Sequence, residues 1–279
     1  MNFTKFCATG TKYSHRYISC ESDVKLFHIH FKPKIKSNFP PVIFIPGWGS
    51  IIDSWEVVLK EMTKDFEVYY LETREKSSSI HITEQALTIK SLGDDLPYIL
   101  SELNLINSSY ILLGSSLGAT VIIDSMSRNK VSPTLSILIG PNAEFNIPSF
   151  WLLIARITPP FFFYIIRPII KLYMKKKYLD MDSDPKQYYK YAKSLNQASP
   201  SRLRRSALNF SSYKIWDKLN KINQKVLILA GSKDIMHDYK NTLKIADKLS
   251  NSKLIDMTTN SKTHSIEMVV KIREFINSN

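Results

Sequence analysis

The sequence has only two cysteines and eight glycines, and it lacks the motifs that bind common cofactors. Cys7 and Cys20 match no zinc or redox spacing, and two cysteines do not make the disulfide framework of a small secreted scaffold. We find no heptad run, no repeat and no low-complexity segment. A dinucleotide fingerprint, a P-loop and a Cys/His cluster are also missing, so the sequence implies no cofactor and no metal. His28 and His30 share one face of a predicted strand, but no third ligand accompanies them.

No apolar run is long enough to cross a membrane. The most apolar region is 147–174, but Arg156, Arg167 and the Pro159–Pro160 pair divide it into pieces of ten residues or fewer. A membrane span needs about 20 consecutive apolar residues. The N-terminus also lacks the apolar segment of a signal peptide, so we expect a cytoplasmic protein.

Acidic residues are scarce beside basic ones, with 25 Asp and Glu against 38 Lys and Arg and a net charge of +13. Charge of this sign attracts nucleic acids, anionic lipids and anionic substrates. Because no nucleic-acid-binding motif accompanies it, we interpret the charge as a solvated surface and expect no nucleic acid partner. The apolar region and the basic run "KLYMKKKY" at 171–178 also suit peripheral contact with an anionic membrane.

Strand-like and helix-like segments alternate along most of the chain. A half-exposed strand at 24–31 comes first, and buried strands are predicted at 41–45, 67–71, 110–114, 134–140, 225–231 and 252–257. Helices are predicted at 53–64, 83–104 with Thr83 as N-cap, 117–129, 239–250 and 265–277. This alternation predicts an α/β fold with a mostly parallel, doubly wound sheet.

The alternation of strands and helices stops between residues 141 and 215, a segment that is rich in proline, aromatic residues and positive charge. We interpret this segment as a helical cap (lid) inserted into a core domain formed by 1–140 and 216–279. Ligands bind at the carboxyl ends of parallel strands, so such an insertion would cover the site.

One motif places glycine and serine where a buried strand ends. Residues 114–118 read "GSSLG", a Gly-x-Ser-x-Gly pattern in which only Ser116 occupies the centre. It lies between a predicted strand and a predicted helix, as a nucleophile elbow requires. Strand and helix approach closely there, so Gly114 and Gly118 must be small. We predict that Ser116 is a nucleophile; the alternative is a glycine-rich turn without chemistry.

A serine hydroxyl needs a base, and the base needs an acid to orient it. Asp234 follows the strand at 225–231, and His264 follows the last strand. Both loops should meet Ser116 at the carboxyl edge of the sheet, in the order Ser, Asp, His that nucleophile-elbow enzymes use. We therefore predict a triad of Ser116, His264 and Asp234.

Three other residues compete for these roles. Asp238 is near the same loop, but it should lie in the following helix. Glu144 follows the strand after the serine and is a minor alternative for the acid. His237 is too close to Asp234 in sequence to occupy a separate loop.

The negative charge that develops on an attacked carbonyl needs N–H donors. One should be the backbone N–H of Leu117, directly after the serine. The second should come from the loop "IPGWGS" at 45–50, where we choose the N–H of Trp48. The indole of Trp48 and the cap aromatics Trp151, Phe161, Phe162 and Phe163 are candidate walls of an apolar substrate pocket, although they could simply pack the cap onto the core.

On these residues the chain resembles the α/β-hydrolase superfamily, and most of all its capped serine carboxylesterases and lipases. The matching stretches are "PGWGS" at 46–50, "GSSLG" at 114–118, "GSKD" at 231–234 and "KTHS" at 262–265. They come in the family's order, and the resemblance covers about 25–279.

Two stretches depart from the family's pattern. Pro46 stands where the family usually has histidine, a residue that tends to be structural there. The stretch "ETREKSSS" at 72–79 keeps the arginine of the family's D-x-R-G-x-G-x-S motif but has no glycine. We therefore expect this loop to have a different shape, while the triad is unaffected.

The resemblance and the triad together predict a serine hydrolase that cleaves small carboxylic esters with an apolar acyl group. Acyl transfer and thioester or lactone hydrolysis would use the same triad. A catalytically silent binding protein of the same fold is the alternative from another class. Either a monomer or a homodimer fits the sequence.

Overall fold

The chain alternates strands and helices around one mixed sheet in a computed structural model that describes residues 2–20, 23–35, 37–81, 86–177 and 185–278. The strands are β1 (Lys12–Ser19), β2 (Val24–Lys32), β3 (Val42–Ile45), β4 (Val68–Leu71), β5 (Ile80–His81), β6 (Ile111–Ser115), β7 (Leu135–Ile139), β8 (Val226–Ala230) and β9 (Ser252–Asp256). The α-helices are α1 (Glu56–Met62), α2 (Ile89–Glu102), α3 (Leu117–Ser127), α4 (Ser149–Ile157), α5 (Phe162–Lys177), α6 (Pro185–Gln197), α7 (Pro200–Phe210), α8 (Tyr239–Lys248) and α9 (Ile266–Asn277).

The sheet runs in the order β1-β2-β4-β3-β6-β7-β8-β9, and β5 pairs with β2 outside this path. From β4 to β9 every neighbouring pair is parallel, whereas β1, β2 and β5 are antiparallel additions. The carboxyl ends of β3, β6, β7, β8 and β9 therefore meet at one edge, where their loops can form a site.

Apolar residues cover both faces of the sheet, because each parallel strand sends alternate side chains to opposite sides. Ile43 and Ile45 of β3 belong to the core under α2, α3 and α8, while Phe44 belongs to the core under α1 and α9. This is the doubly wound arrangement that the continuous apolar runs predict, so the predicted fold class is confirmed.

Two predictions about elements need correction. Strand β1 was not predicted, because its sequence "KYSHRYIS" is polar and only Ile18 among its residues is buried. Helix α2 begins at Ile89 rather than at 83, because the Thr88 hydroxyl and Ser91 form a capping box that fixes the first turn. Thr83, the predicted N-cap, lies outside the described residues.

Helices α4 to α7 follow one another between β7 and β8 without an intervening strand among the described residues. We call them the helical insertion (Ser149–Phe210 without 178–184). It leaves after β7 and returns before β8, two strands that pair directly. Glu144 and Lys214 form an antiparallel bridge at its base. Among the described residues, none of the helices is long and apolar enough to cross a membrane.

Candidate active site

Ser116 occupies a strained turn between β6 and α3. Its backbone has φ 49° and ψ −106°, a conformation that residues with a Cβ rarely adopt. The Ser116 N–H donates to the Ile139 carbonyl at 2.8 Å, and its own carbonyl accepts the Thr120 N–H at 3.0 Å, so both sides of the turn are fixed. The turn exposes Ser116 partly, although its neighbours on both sides are buried.

Glycine is required on both sides of this serine. A Cβ on Gly114 would lie 2.5 Å from the Ala119 nitrogen, and a Cβ on Gly118 would lie 2.0 Å from the Ile45 carbonyl oxygen. Both distances are too short for atoms that are not bonded to each other. The close approach of β3, β6 and α3 that the "GSSLG" pattern predicts is therefore present.

The loop after β3 lies directly beside the serine. A Cβ on Gly47 would be 3.5 Å from the Ser116 Cβ, so the backbone just before Trp48 lies against the serine. Within the described part of the chain, neither the Trp48 N–H nor the Leu117 N–H donates to a backbone carbonyl. The Trp48 indole points away toward the helical insertion, where its Nε1 donates to the Ser206 hydroxyl at 2.9 Å.

Lys76 supports this loop, a role that sequence reasoning missed because no motif marks it. Its ammonium donates to the carbonyl oxygens of Gly47 and Ser50, the latter at 2.8 Å. The side chain is only 5% exposed and also lies 3.5 Å from the carboxylate of Glu75. A buried cation thus fixes the two ends of the turn that carries the Trp48 N–H.

Asp234 follows β8 and accepts hydrogen bonds on both carboxylate oxygens. Its Oδ1 accepts the Met236 N–H at 2.8 Å, and its Oδ2 accepts Asn260 Nδ2 at 2.7 Å and His237 Nδ1 at 2.9 Å. Burial alone would raise the pKa of Asp234, but the bonds from His237 and Asn260 outweigh it and lower that pKa. The carboxylate is therefore ionised and can stabilise a positive charge beside it.

His264 lies after β9 with its ring stacked on Trp55, at 4.3 Å between centroids. Its Nδ1 is 3.0 Å from the carbonyl oxygen of Asn260, which only accepts hydrogen bonds, so Nδ1 carries the proton. Nε2 then keeps its lone pair, as a general base requires. Burial lowers the pKa of His264 to about 4, so the ring is neutral at pH 7.

The structure brings Asp234, His237 and His264 into one cavity with Ser115, Gly140 and Asn260. Asp234 pairs with His237 there, whereas Asn260 joins Asp234 to His264 through its side chain and its carbonyl. The Ser116 hydroxyl accepts Asn142 Nδ2 at 3.3 Å, and among the described residues it bonds neither histidine. His237 was set aside on sequence spacing, which does not reveal that its ring turns back onto Asp234.

The candidate substrate residues of the helical insertion lie elsewhere. Trp151 packs against the rings of Phe150 and Tyr173, Phe161 is 64% exposed, and Phe163 is buried. None of these residues, nor Phe162, lines the cavity that holds the two histidines. In the described residues no group of three His, Cys, Asp or Glu could hold a metal ion.

Comparison with known proteins gives matches of structure only. No protein-family model and no curated protein matches the sequence. The fold is similar to a thermophilic esterase from Thermogutta terrifontis, with a TM-score of 0.76, 18% identity and coverage of 95% of this chain and 98% of that one. An enol-lactonase from Burkholderia xenovorans has a TM-score of 0.75 and 13% identity, with coverage of 94% of this chain and 98% of that one. An esterase from Exiguobacterium antarcticum has a TM-score of 0.74 and 15% identity, with coverage of 95% and 98%. Since these solved structures match over nearly their whole lengths, the chain has the fold of the α/β-hydrolase superfamily.

Proposed function

We propose that the protein is a serine hydrolase that cleaves small carboxylic esters with an apolar acyl group. The observation that carries the proposal is the strained backbone of Ser116, enclosed by glycines that no larger residue can replace. Strain of this kind persists only where the surrounding structure enforces it, and it is common at reacting groups. A turn without chemistry has no need for it.

In the proposed reaction the Ser116 Oγ attacks the ester carbonyl carbon. Its proton passes to Nε2 of His264, and the N–H groups of Leu117 and Trp48 hold the negative oxygen. The imidazolium then gives that proton to the leaving alcohol, which departs as the C–O bond breaks. Water then attacks the acyl carbonyl and gives a proton to the same histidine, which passes it to Ser116 Oγ as the acyl–oxygen bond breaks and the carboxylic acid is released.

Asp234 would stabilise the imidazolium form of the base. Its ionised carboxylate is joined to His264 through Asn260. His237 is the alternative base, because it bonds Asp234 directly at 2.9 Å. Hydrogen bonds at catalytic sites often shorten only when substrate is bound, so each histidine must be tested by substitution.

The test measures kcat/KM on p-nitrophenyl esters of increasing acyl length, and labelling by a fluorophosphonate. Ser116→Ala and His264→Gln should each lower kcat/KM by about 10³-fold or more, because a triad acts as one unit. His237→Gln is the matched control in the same cavity and should retain activity within about tenfold. The preferred acyl length would then measure the substrate pocket.

Two outcomes would change the proposal. Loss of activity in His237→Gln but not in His264→Gln would transfer the role of base to His237. A wild-type protein that neither hydrolyses any ester nor reacts with the fluorophosphonate would show that the site is catalytically silent. A ligand-binding protein would then be the better description.

A further inference from the structure

Helix α5 is apolar on two opposite sides, although it lies at the surface. Phe163 faces inward and is buried, and Ile166, Ile170 and Met174 on the same side are partly covered. On the other side Tyr164, Ile165, Ile169 and Leu172 recur at helical spacing and are exposed, Ile165 by 62%. A surface helix normally presents polar residues there, and among the described residues none buries this second apolar stripe.

The neighbouring helix α4 carries an exposed apolar stripe of its own. Phe150, Leu153 and Ile157 recur three and four residues apart and are exposed, Ile157 by 71%. The Phe150 ring lies 5.9 Å from that of Tyr173 on α5, so the two helices are neighbours. We call this surface the apolar face; its members are Phe150, Leu153, Ile157, Phe161, Tyr164, Ile165, Ile169 and Leu172.

The charged residues of helices α4 and α5 are all basic. Residues 149–177 contain no aspartate or glutamate but six basic residues, which are Arg156, Arg167, Lys171, Lys175, Lys176 and Lys177. The last three are exposed at the C-terminal end of α5, directly after the apolar stripe. Neighbouring exposed apolar side chains mark an interaction site, and the cations beside them favour a negatively charged partner.

We propose that the apolar face docks onto an anionic lipid bilayer, with the exposed apolar side chains entering the interface and the lysines contacting the headgroups. A second copy of the chain fits less well, because two such faces would oppose six cations with six cations. An anionic bilayer offers an apolar layer for the exposed side chains and negative charge for the lysines.

The experiment measures partition of the full-length Ser116→Ala protein onto phosphatidylcholine vesicles with and without phosphatidylglycerol, by flotation. This variant leaves the lipids intact whatever the enzyme hydrolyses, so the result is independent of the proposed function. The protein should bind the anionic vesicles and be released by about 0.5 M salt, since the headgroup attraction is screened. Ile165→Glu/Ile169→Glu should lower the partition coefficient by about tenfold or more.

The control is Ile35→Glu/Ile106→Glu, which changes two isoleucines of the core domain that are 73% and 59% exposed. It should bind as the parent does. Lys175→Gln/Lys176→Gln keeps the apolar face and should lower binding to anionic vesicles about tenfold. Thermal melting checks that each variant is folded.

Three results would overturn the proposal. The parent protein could fail to bind anionic vesicles, or the control could lose as much binding as Ile165→Glu/Ile169→Glu. Sedimentation could also show a dimer without lipid that the same substitutions dissociate. In that last case a second copy, and not a bilayer, covers the apolar face.

Discussion

At the scale of single residues, Lys76 is the clearest case of a side chain whose role only the structure reveals. Lysine is rarely buried, since removing its charge from water is costly unless partners replace the water. Here two carbonyl oxygens and the Glu75 carboxylate do so. The arrangement ties the loop after β4 to the Gly47–Ser50 turn after β3, which carries Trp48.

Lys76→Met should slow the proposed hydrolysis while leaving substrate binding nearly intact. Methionine fills similar space but donates no hydrogen bond, so the Gly47–Ser50 turn loses its support. A displaced oxyanion donor acts mainly on the transition state, so we expect kcat to fall about tenfold or more and KM to change by less than about threefold. Steady-state kinetics on one ester provides both values.

Lys130→Met, at an exposed position after α3, is the control and should leave both constants unchanged. A KM that rises while kcat stays constant would show that Lys76 supports the substrate and not the oxyanion loop.

Some residues of the candidate site could be predicted from the sequence, and others could not. The position of Ser116 follows from its flanking glycines, because covalent geometry and close packing leave little choice. The hydrogen-bond partner of Asp234 cannot be predicted in this way, because it depends on how side chains rotate in two loops. Chain order favours His264, while the direct hydrogen bond is to His237, so the triad stays a prediction.

At the scale of elements, the elbow joins β3, β6 and α3 more tightly than ordinary side chains permit. The Gly118 Cα faces the end of β3, so any side chain there would strike the Ile45 carbonyl. Helix α3 can therefore keep its present position only with glycine at 118, despite the poor helix propensity of glycine.

Gly118→Ala should destabilise the fold by about 3 kcal/mol. Helix propensity alone would favour alanine by about 1 kcal/mol, so a net loss measures the clash. Urea unfolding gives the free energy of unfolding. Gly49→Ala is the matched control, because its φ is +65° but nothing lies within 4 Å, and it should cost only about 1 kcal/mol of backbone strain. A Gly118→Ala variant as stable as the wild type would refute the close packing.

Elements buried on both faces were the easiest to predict. Strands β3, β4, β6, β7 and β8 are almost wholly apolar, and each was placed within one residue at either end by that feature. Strand β1 lies at the edge and exposes most of its side chains, so its polar sequence does not distinguish it from a loop. Burial, not strand propensity, makes a strand visible in a sequence.

At the scale of the whole molecule, several histidines are held neutral by the fold. Burial lowers the pKa of His28, His81 and His264 to about 4 in each case, and nearby arginines add to the effect at His28 and His81. His28 lies in the strand that the sequence predicts to be half-exposed, but only 3% of it is accessible. The unfolded chain would protonate these rings near pH 6.5.

The free energy of unfolding should therefore fall as the pH drops from about 6.5 to about 4. Between these pH values the histidines are protonated in the unfolded state but not in the folded state. The free energy of unfolding therefore falls by up to about 1.4 kcal/mol per pH unit for each histidine. His28→Leu should make the pH dependence of the free energy of unfolding less steep, by the amount that corresponds to one fewer proton taken up on unfolding. Urea midpoints between pH 4 and 8 measure the slope, and the exposed His15→Leu should match the wild type. Equal slopes for all three proteins would show that His28 is protonated alike in both states.

The bridge between Glu144 and Lys214 has a consequence for how such a chain diversifies. The two ends of the helical insertion leave and re-enter at one point, between strands that are already hydrogen bonded to each other. Lengthening, shortening or exchanging that segment leaves the register between β7 and β8 unchanged, although the hydrogen bond from Trp48 to Ser206 would have to be replaced. Selection can therefore alter the surface that the insertion presents while the order of the sheet is kept.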